Sequence, residues 1–171
     1  MKILKFIPFI AFIFLTIFLF KKINNFEESK NLSSALIDKP FPDLDLNNLD
    51  GGKRLKDIIG KKNLIINYFA SWCAPCRLEH ETLTIFKKDH NIIGIAYKDE
   101  RKNITKFLKE LGNPYREVFL DRNGRSAIDL GLYGVPETYF VDRRGFIRYK
   151  HVGPIDEDEF KKIINILNQK L

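Results

Sequence analysis

The sequence has little cysteine: two residues in 171, Cys73 and Cys76, with one tryptophan, one methionine and three histidines. A structural zinc site needs about four nitrogen or sulfur ligands. Two cysteines, His80, His90 and His151, with no second Cys-x-x-Cys, argue against one. Glycine (10) and proline (7) are not in excess, and no repeat or low-complexity tract is present. Extended disorder is therefore not expected. The net charge of +7 lacks a basic block interleaved with aromatics, which argues against nucleic-acid binding. Lys2, Lys5, Lys21 and Lys22 flank one apolar stretch, and without them only +3 remains, spread along the chain.

That apolar stretch is Ile3–Phe20, interrupted by Lys5, Pro8 and Thr16. A bilayer core takes roughly 20 apolar residues, with a lower limit near 17. The run reaches that limit if Lys5 snorkels to the interface. No small-x-small cleavage site follows, so residues 1–22 are expected to be an uncleaved membrane anchor. Residues 23–38 are polar, without a helical apolar stripe, and read as a tether. The folded domain is expected over 39–171, beginning near Lys39-Pro40.

Leu44 and Leu46 alternate with Asp43, Asp45 and Asn47, and Asp50-Gly51-Gly52 is a turn signal. With Arg54-Leu55 returning, this predicts an N-terminal hairpin. Asn63–Ala70 and Asn91–Tyr97 are near-continuous apolar runs, as in strands buried on both faces. Helical spacing marks a segment from Cys76 to about Lys88, and Glu100–Leu111 ending at Gly112. Glu117–Asp121 reads as a strand and Gly124–Leu130 as one or two helical turns. Thr138–Asp142 and Phe146–His151 form a hairpin through Arg143-Arg144-Gly145. Phe160, Ile163, Ile164 and Leu167 stripe a final helix. The expected class is α/β, a mixed sheet flanked by helices.

Cys73-Ala74-Pro75-Cys76 falls where a buried strand ends and a helix begins. A purely structural disulfide there would close a loop of two residues, with minimal entropic gain. A redox-active pair fits the placement better. Free N–H groups at a helix start, and the helix dipole, stabilise a thiolate, the reactive species. Cys73 is then expected to be exposed and to attack, and Cys76, one turn in, to be shielded and to resolve. Pro75 suits the first helical turn. Trp72 precedes the pair. Gly134-Val135-Pro136-Glu137-Thr138 places a proline at a strand start, where it could simply end an edge strand.

Asn67–Glu81 (NYFASWCAPCRLEHE) and Gly131–Pro154 (GLYGVPETYFVDRRGFIRYKHVGP) resemble the CcmG/DsbE family, anchored periplasmic thioredoxin-like proteins of cytochrome c biogenesis. The similarity spans the anchor and the domain from about residue 39. It implies a thioredoxin-like fold with Cys73 attacking, Cys76 resolving and Pro136 a cis-proline. Trp72, Val135 and Pro136 would contact substrate, with Val135 offering its backbone to an extended chain. The implied location is the bacterial inner membrane, catalytic domain in the periplasm. The implied partners are apocytochrome c or a maturation thiol protein, a membrane thiol-reducing electron donor, and lipid around the anchor. No metal or cofactor beyond the Cys73–Cys76 disulfide is implied, and a monomer is expected.

Ordinary thioredoxins carry a buried Asp where this chain has Asn67. The resemblance places Glu79 and Glu137 in the active-site neighbourhood. A carboxylate near a thiolate disfavours the thiolate, and a destabilised reduced form is a better reductant. Both glutamates are expected to tune the pair and relay protons, although acids are common in early helical turns. No histidine lies between the cysteines, which disfavours an oxidant. His80 and His151 are expected to be structural, Arg77 and Lys150 solvated, and Tyr133 and Tyr139 core or rim. Two other functions compete: a general exported reductant with another client, and a non-redox factor that presents apocytochrome for haem attachment.

Overall fold

The protein is described here by a computed structural model covering residues 7–24 and 34–170. The chain forms two compact units, divided after Leu32. In the first, α1 spans Ile7–Asn24, and its large apolar side chains, such as Phe14 and Phe20, are exposed. Among the described residues no helix is long and apolar enough to cross a membrane. The apolar part, Ile7–Phe20, rises only about 21 Å before Lys21, against a hydrocarbon core of about 30 Å. The spanning helix expected of residues 1–22 is thus not met by α1 alone. Residues 3–6, and residues 25–33 of the expected tether, lie outside the described residues.

The second unit is built on a five-stranded mixed sheet. Its elements are β1 (Leu64–Phe69), α2 (Ala74–Phe86), β2 (Ile92–Tyr97), α3 (Arg101–Leu111), β3 (Glu117–Asp121), α4 (Arg125–Asp129), β4 (Glu137–Val141), β5 (Ile147–Val152) and α5 (Glu157–Lys170). The spatial order is β3-β2-β1-β4-β5. β1, β2 and β3 are mutually parallel, and β4 runs antiparallel to both β1 and β5. This is the expected α/β architecture, with element ends within a residue or two of the sequence reading.

Side chains alternate across a strand, so β1 serves two cores. Ile65 and Phe69 face one, with Leu83 of α2, Ile104 and Phe107 of α3, and Phe160 and Ile163 of α5. Leu64, Ile66 and Tyr68 face the other, with Ala127 of α4, Tyr139, and Phe41, Leu44, Leu46 and Leu55 from the segment before β1. The expected N-terminal hairpin is present only in reduced form. Leu44 and Leu46 are buried and their neighbours exposed, as alternation predicts. However, pairing stops at one Asn47–Arg54 bridge and two flanking backbone bonds, and Leu55–Asp57 turns into a 3-10 helix. The leucines are held by the core beneath them and not by a ladder. Packing also begins ahead of Lys39: Leu36 and Ile37 lie against this core, and the Asp38 amide bonds Ile147.

Candidate active site

β1 carries the chain to the C-terminal edge of the sheet, and α2 starts there. Cys73 is the N-cap of α2, Pro75 lies in its first turn, and the Cys76 amide donates to Cys73 Sγ at 3.1 Å. A helix's first amides have no intrahelical partners, and Pro has no N–H to leave unpaired. Cys73 and Cys76 are joined as a disulfide. The expected contrast in exposure is absent in this oxidised state: the two residues are 4% and 2% exposed. Cys73 is covered from the loop before β4, where the Val135 carbonyl oxygen lies 3.5 Å from its sulfur. What distinguishes the two sulfurs is the amide hydrogen bond, which only Cys73 accepts among the described contacts. The Val135–Pro136 peptide is cis. Trp72 is 60% exposed beside the pair, its indole N–H donating to the Lys98 carbonyl.

Glu79 follows Cys76 by three positions, which puts both on one helix face. Its side chain is directed at the sheet, where Asn67 of β1 donates to Oε1 at 2.8 Å, while the Ile155 amide donates to Oε2 at 3.2 Å. Asn67 also donates to Thr138 Oγ1 at 3.0 Å and accepts from the Tyr115 hydroxyl at 2.8 Å. Burial pushes the Glu79 carboxyl up to about 8, partly opposed by the hydrogen bonds from Asn67 and Ile155. Among the described residues no cation takes part in this network. Burial, and then Glu79, also hold the Tyr115 hydroxyl well above its ordinary range. Tyr115 reaches Asn67 because the residue paired with Asn67 across β1 and β2 is Gly94. A Cβ on Gly94 would lie 2.8 Å from the Phe69 ring and 2.9 Å from that of Tyr115. Those two rings stack at 4.7 Å over it. Sequence reasoning named Glu79 and Asn67 but missed Tyr115, and a glycine inside a buried strand was the available signal of close approach.

Glu137 is placed differently. It pairs with Tyr68, whose side chain belongs to the opposite core, so its carboxylate sits on the sheet face away from Asn67 and Glu79. There it meets Lys150 Nζ at 3.0 Å, the Tyr139 hydroxyl at 3.0 Å and the Tyr133 amide at 2.8 Å. The two expected active-site acids are therefore not brought together. Lys150, expected to be solvated, is buried, while Arg77 is exposed over Phe107, near Glu110. Tyr139 is core, and burial, then Glu137, raise its hydroxyl. Tyr133 is on the rim, 70% exposed. His80 is buried with Nε2 2.8 Å from the Gly112 carbonyl, and burial lowers its pKa, so the neutral ring donates there. His151 lies near Glu159, 3.4 Å from its carboxylate.

The Redoxin family model matches residues 37–167. The thiol:disulfide interchange protein DsbE of Tatumella citrea is 37% identical over 176 residues, covering 99% of this chain and 95% of its own. The DsbE protein of Pseudomonas aeruginosa is 40% identical over 169 residues, with 96% and 92% covered. This chain belongs to the DsbE family. Among solved structures, a DsbF homologue from Corynebacterium diphtheriae superposes with a TM-score of 0.64 at 25% identity, covering 74% of this chain and 85% of that one. As a DsbE-family protein with a thioredoxin-like fold, the chain is a thiol–disulfide oxidoreductase, with Cys73 and Cys76 as its disulfide-forming pair.

Proposed function

We propose that this protein is a reductant of apocytochrome c, or of a partner thiol protein, in cytochrome c maturation. The observation that carries the direction of exchange is the Glu79 network. A carboxyl one helical turn from Cys76 lies buried with two hydrogen-bond donors and, among the described residues, no cation. Once ionised, such a group disfavours a nearby thiolate and so favours the disulfide form of the protein. While protonated, it holds a proton one helical turn from Cys76. In the reaction, the Cys73 thiolate attacks one sulfur of a client disulfide, a mixed disulfide forms, and the client's other sulfur leaves as a thiolate. The Cys76 thiolate then attacks Cys73 Sγ, releasing the second client thiol and forming Cys73–Cys76. Two electrons pass to the client, and a membrane thiol donor restores the dithiol. The Cys76 amide at Cys73 Sγ supports Cys73 as the attacking sulfur. Trp72, Val135 and Pro136 border it and form the client-facing surface.

The location is part of the same proposal. Exposed large apolar side chains mark a surface that something apolar covers, and α1 exposes Phe9, Phe12, Phe14, Phe18 and Phe20. The apolar run of the sequence, Ile3–Phe20, comes close to the length a bilayer takes, so lipid is the cover that fits, with the catalytic domain in the periplasm. Replacing Cys76 with serine removes the resolving sulfur and is expected to trap apocytochrome c, or a maturation thiol protein, on Cys73. Recovery of only unrelated exported proteins, with cytochrome c maturation intact in a strain lacking both cysteines, would refute the assignment.

A further inference from the structure

The pair Glu137–Lys150 takes no part in the chemistry above, yet both side chains are sealed from solvent, at 0% and 2% exposure. A buried ion pair is no more stabilising than a well-packed apolar pair of similar volume, so stability alone does not account for it. Its remaining hydrogen bonds go to the loop from Leu130 to Pro136 and to Tyr139 of β4, whose hydroxyl also meets that loop. Lys150 Nζ donates to the Gly131 carbonyl at 2.8 Å, and the Tyr133 amide donates to Glu137 Oε1 at 2.8 Å. The Tyr139 hydroxyl lies 3.0 Å from Glu137 Oε2 and 3.2 Å from the Leu130 carbonyl. The Lys150 ammonium sits 4.7 Å from the centre of the Tyr133 ring. The far end of this loop brings the Val135 carbonyl to 3.5 Å from Cys73 Sγ.

We infer that Glu137 and Lys150 are positioning residues, a buried clamp that fixes the loop 130–136 so that Tyr133 and Val135 present a preformed edge to an extended, cysteine-bearing polypeptide. The inference rests on the reading of this loop as client-facing. Glu137 then acts through the loop and not on the sulfurs, unlike Glu79. The clamp matters for a polypeptide that must lie along the loop, and it is indifferent to a disulfide too small to touch it.

The test uses the reduced protein and its Glu137→Gln, Lys150→Met and doubly substituted variants. Each is assayed against a ten-residue peptide closed by one disulfide and against bis(2-hydroxyethyl) disulfide, a small linear disulfide. Amide hydrogen exchange of Tyr133 and the pH profile of Cys73 alkylation are read in parallel. Each single variant is expected to slow peptide exchange about tenfold while the rate with bis(2-hydroxyethyl) disulfide stays within about twofold. The alkylation profile stays in place and Tyr133 loses amide protection. The double variant is expected to be no slower than Lys150→Met, because the two residues act as a unit. Undiminished Tyr133 protection in both single variants would overturn the clamp. So would an alkylation profile moved by Glu137→Gln with peptide exchange intact, which would place Glu137 in contact with the sulfur chemistry. A wild-type protein that reduces bis(2-hydroxyethyl) disulfide but no peptide would instead refute the client-facing reading, while the Tyr133 amide still reports on the clamp.

Discussion

Glu79 and Glu137 are each at most 1% exposed, and each lies close in sequence to a signature of the site, yet their surroundings differ. Glu137 has the Lys150 ammonium at 3.0 Å. Glu79 has two neutral donors, and burial drives its carboxyl up to about 8. β4 and β1 separate them, one on each sheet face. Identical side chains near one active site thus do different work: one, paired with a lysine, holds a loop in place, while the other sits without a cation beside it one helical turn from Cys76. Proximity along the chain to Pro136 does not make Glu137 part of the thiol chemistry, because strand register sends its side chain to the other face.

The largest effect is expected where the comparison is broken outright. Lys150→Ala leaves the Glu137 carboxylate buried without its cation, which should cost about 3–5 kcal/mol of stability. Urea unfolding at neutral pH measures it. Glu79→Gln, at the same burial, swaps one neutral hydrogen-bonding group for another near pH 7 and should cost far less. Equal losses from the two substitutions would show that the faces do not differ in the way the geometry indicates.

A second expectation concerns pH. The folded Glu79 carboxyl titrates near 8, above its ordinary 4.5. Between those values the native state holds a proton that the unfolded chain has released, so stability falls as pH rises. The contribution is complete below about 4.5 and is lost through about 8, on the order of 3 kcal/mol between pH 5 and 8. Unfolding free energies of the wild type and Glu79→Gln across this range should therefore converge or cross as pH rises. A constant difference would mean that Glu79 is ionised throughout.

Much of this was legible in the sequence. Continuous apolar runs marked β1 and β2, and helical spacing marked α2, α3 and α5, because burial on two faces or on one stripe leaves a direct imprint on residue type. The Cys73–Cys76 spacing at the end of a buried strand was legible locally, whereas Pro136 and Glu79 were singled out by the family resemblance. What escaped depends on register and on covering segments. Lys150 reads as a solvated lysine in a terminal hairpin. It becomes buried only because the 130–133 loop folds over β5 and supplies the Gly131 carbonyl. Leu44 and Leu46 alternate as a strand would, yet alternation records burial and not a hydrogen-bonded partner. Tyr115 and Gly94 become functional neighbours only when β1 and β2 pair Asn67 with Gly94.

The smallest expected effect refines the Glu79 side. The Tyr115 hydroxyl donates to Asn67 Oδ1, which directs the amide's Nδ2 toward Glu79 and Thr138. With that orientation Asn67 can only donate to the carboxyl, and so favours its ionised form. Tyr115→Phe removes one buried hydrogen bond, worth about 1 kcal/mol, and frees the amide to turn over. An Asn67 oxygen facing Glu79 would accept the carboxyl proton and stabilise the neutral form. The Glu79 titration, followed by the carbon shift of the labelled carboxyl, should therefore move above its wild-type position along with the modest loss of stability. Loss of stability with an unmoved titration would mean that Tyr115 only fills the space over Gly94. A raised titration would establish that the unpaired glutamate, unlike the clamped one, is set by the orientation of a single amide.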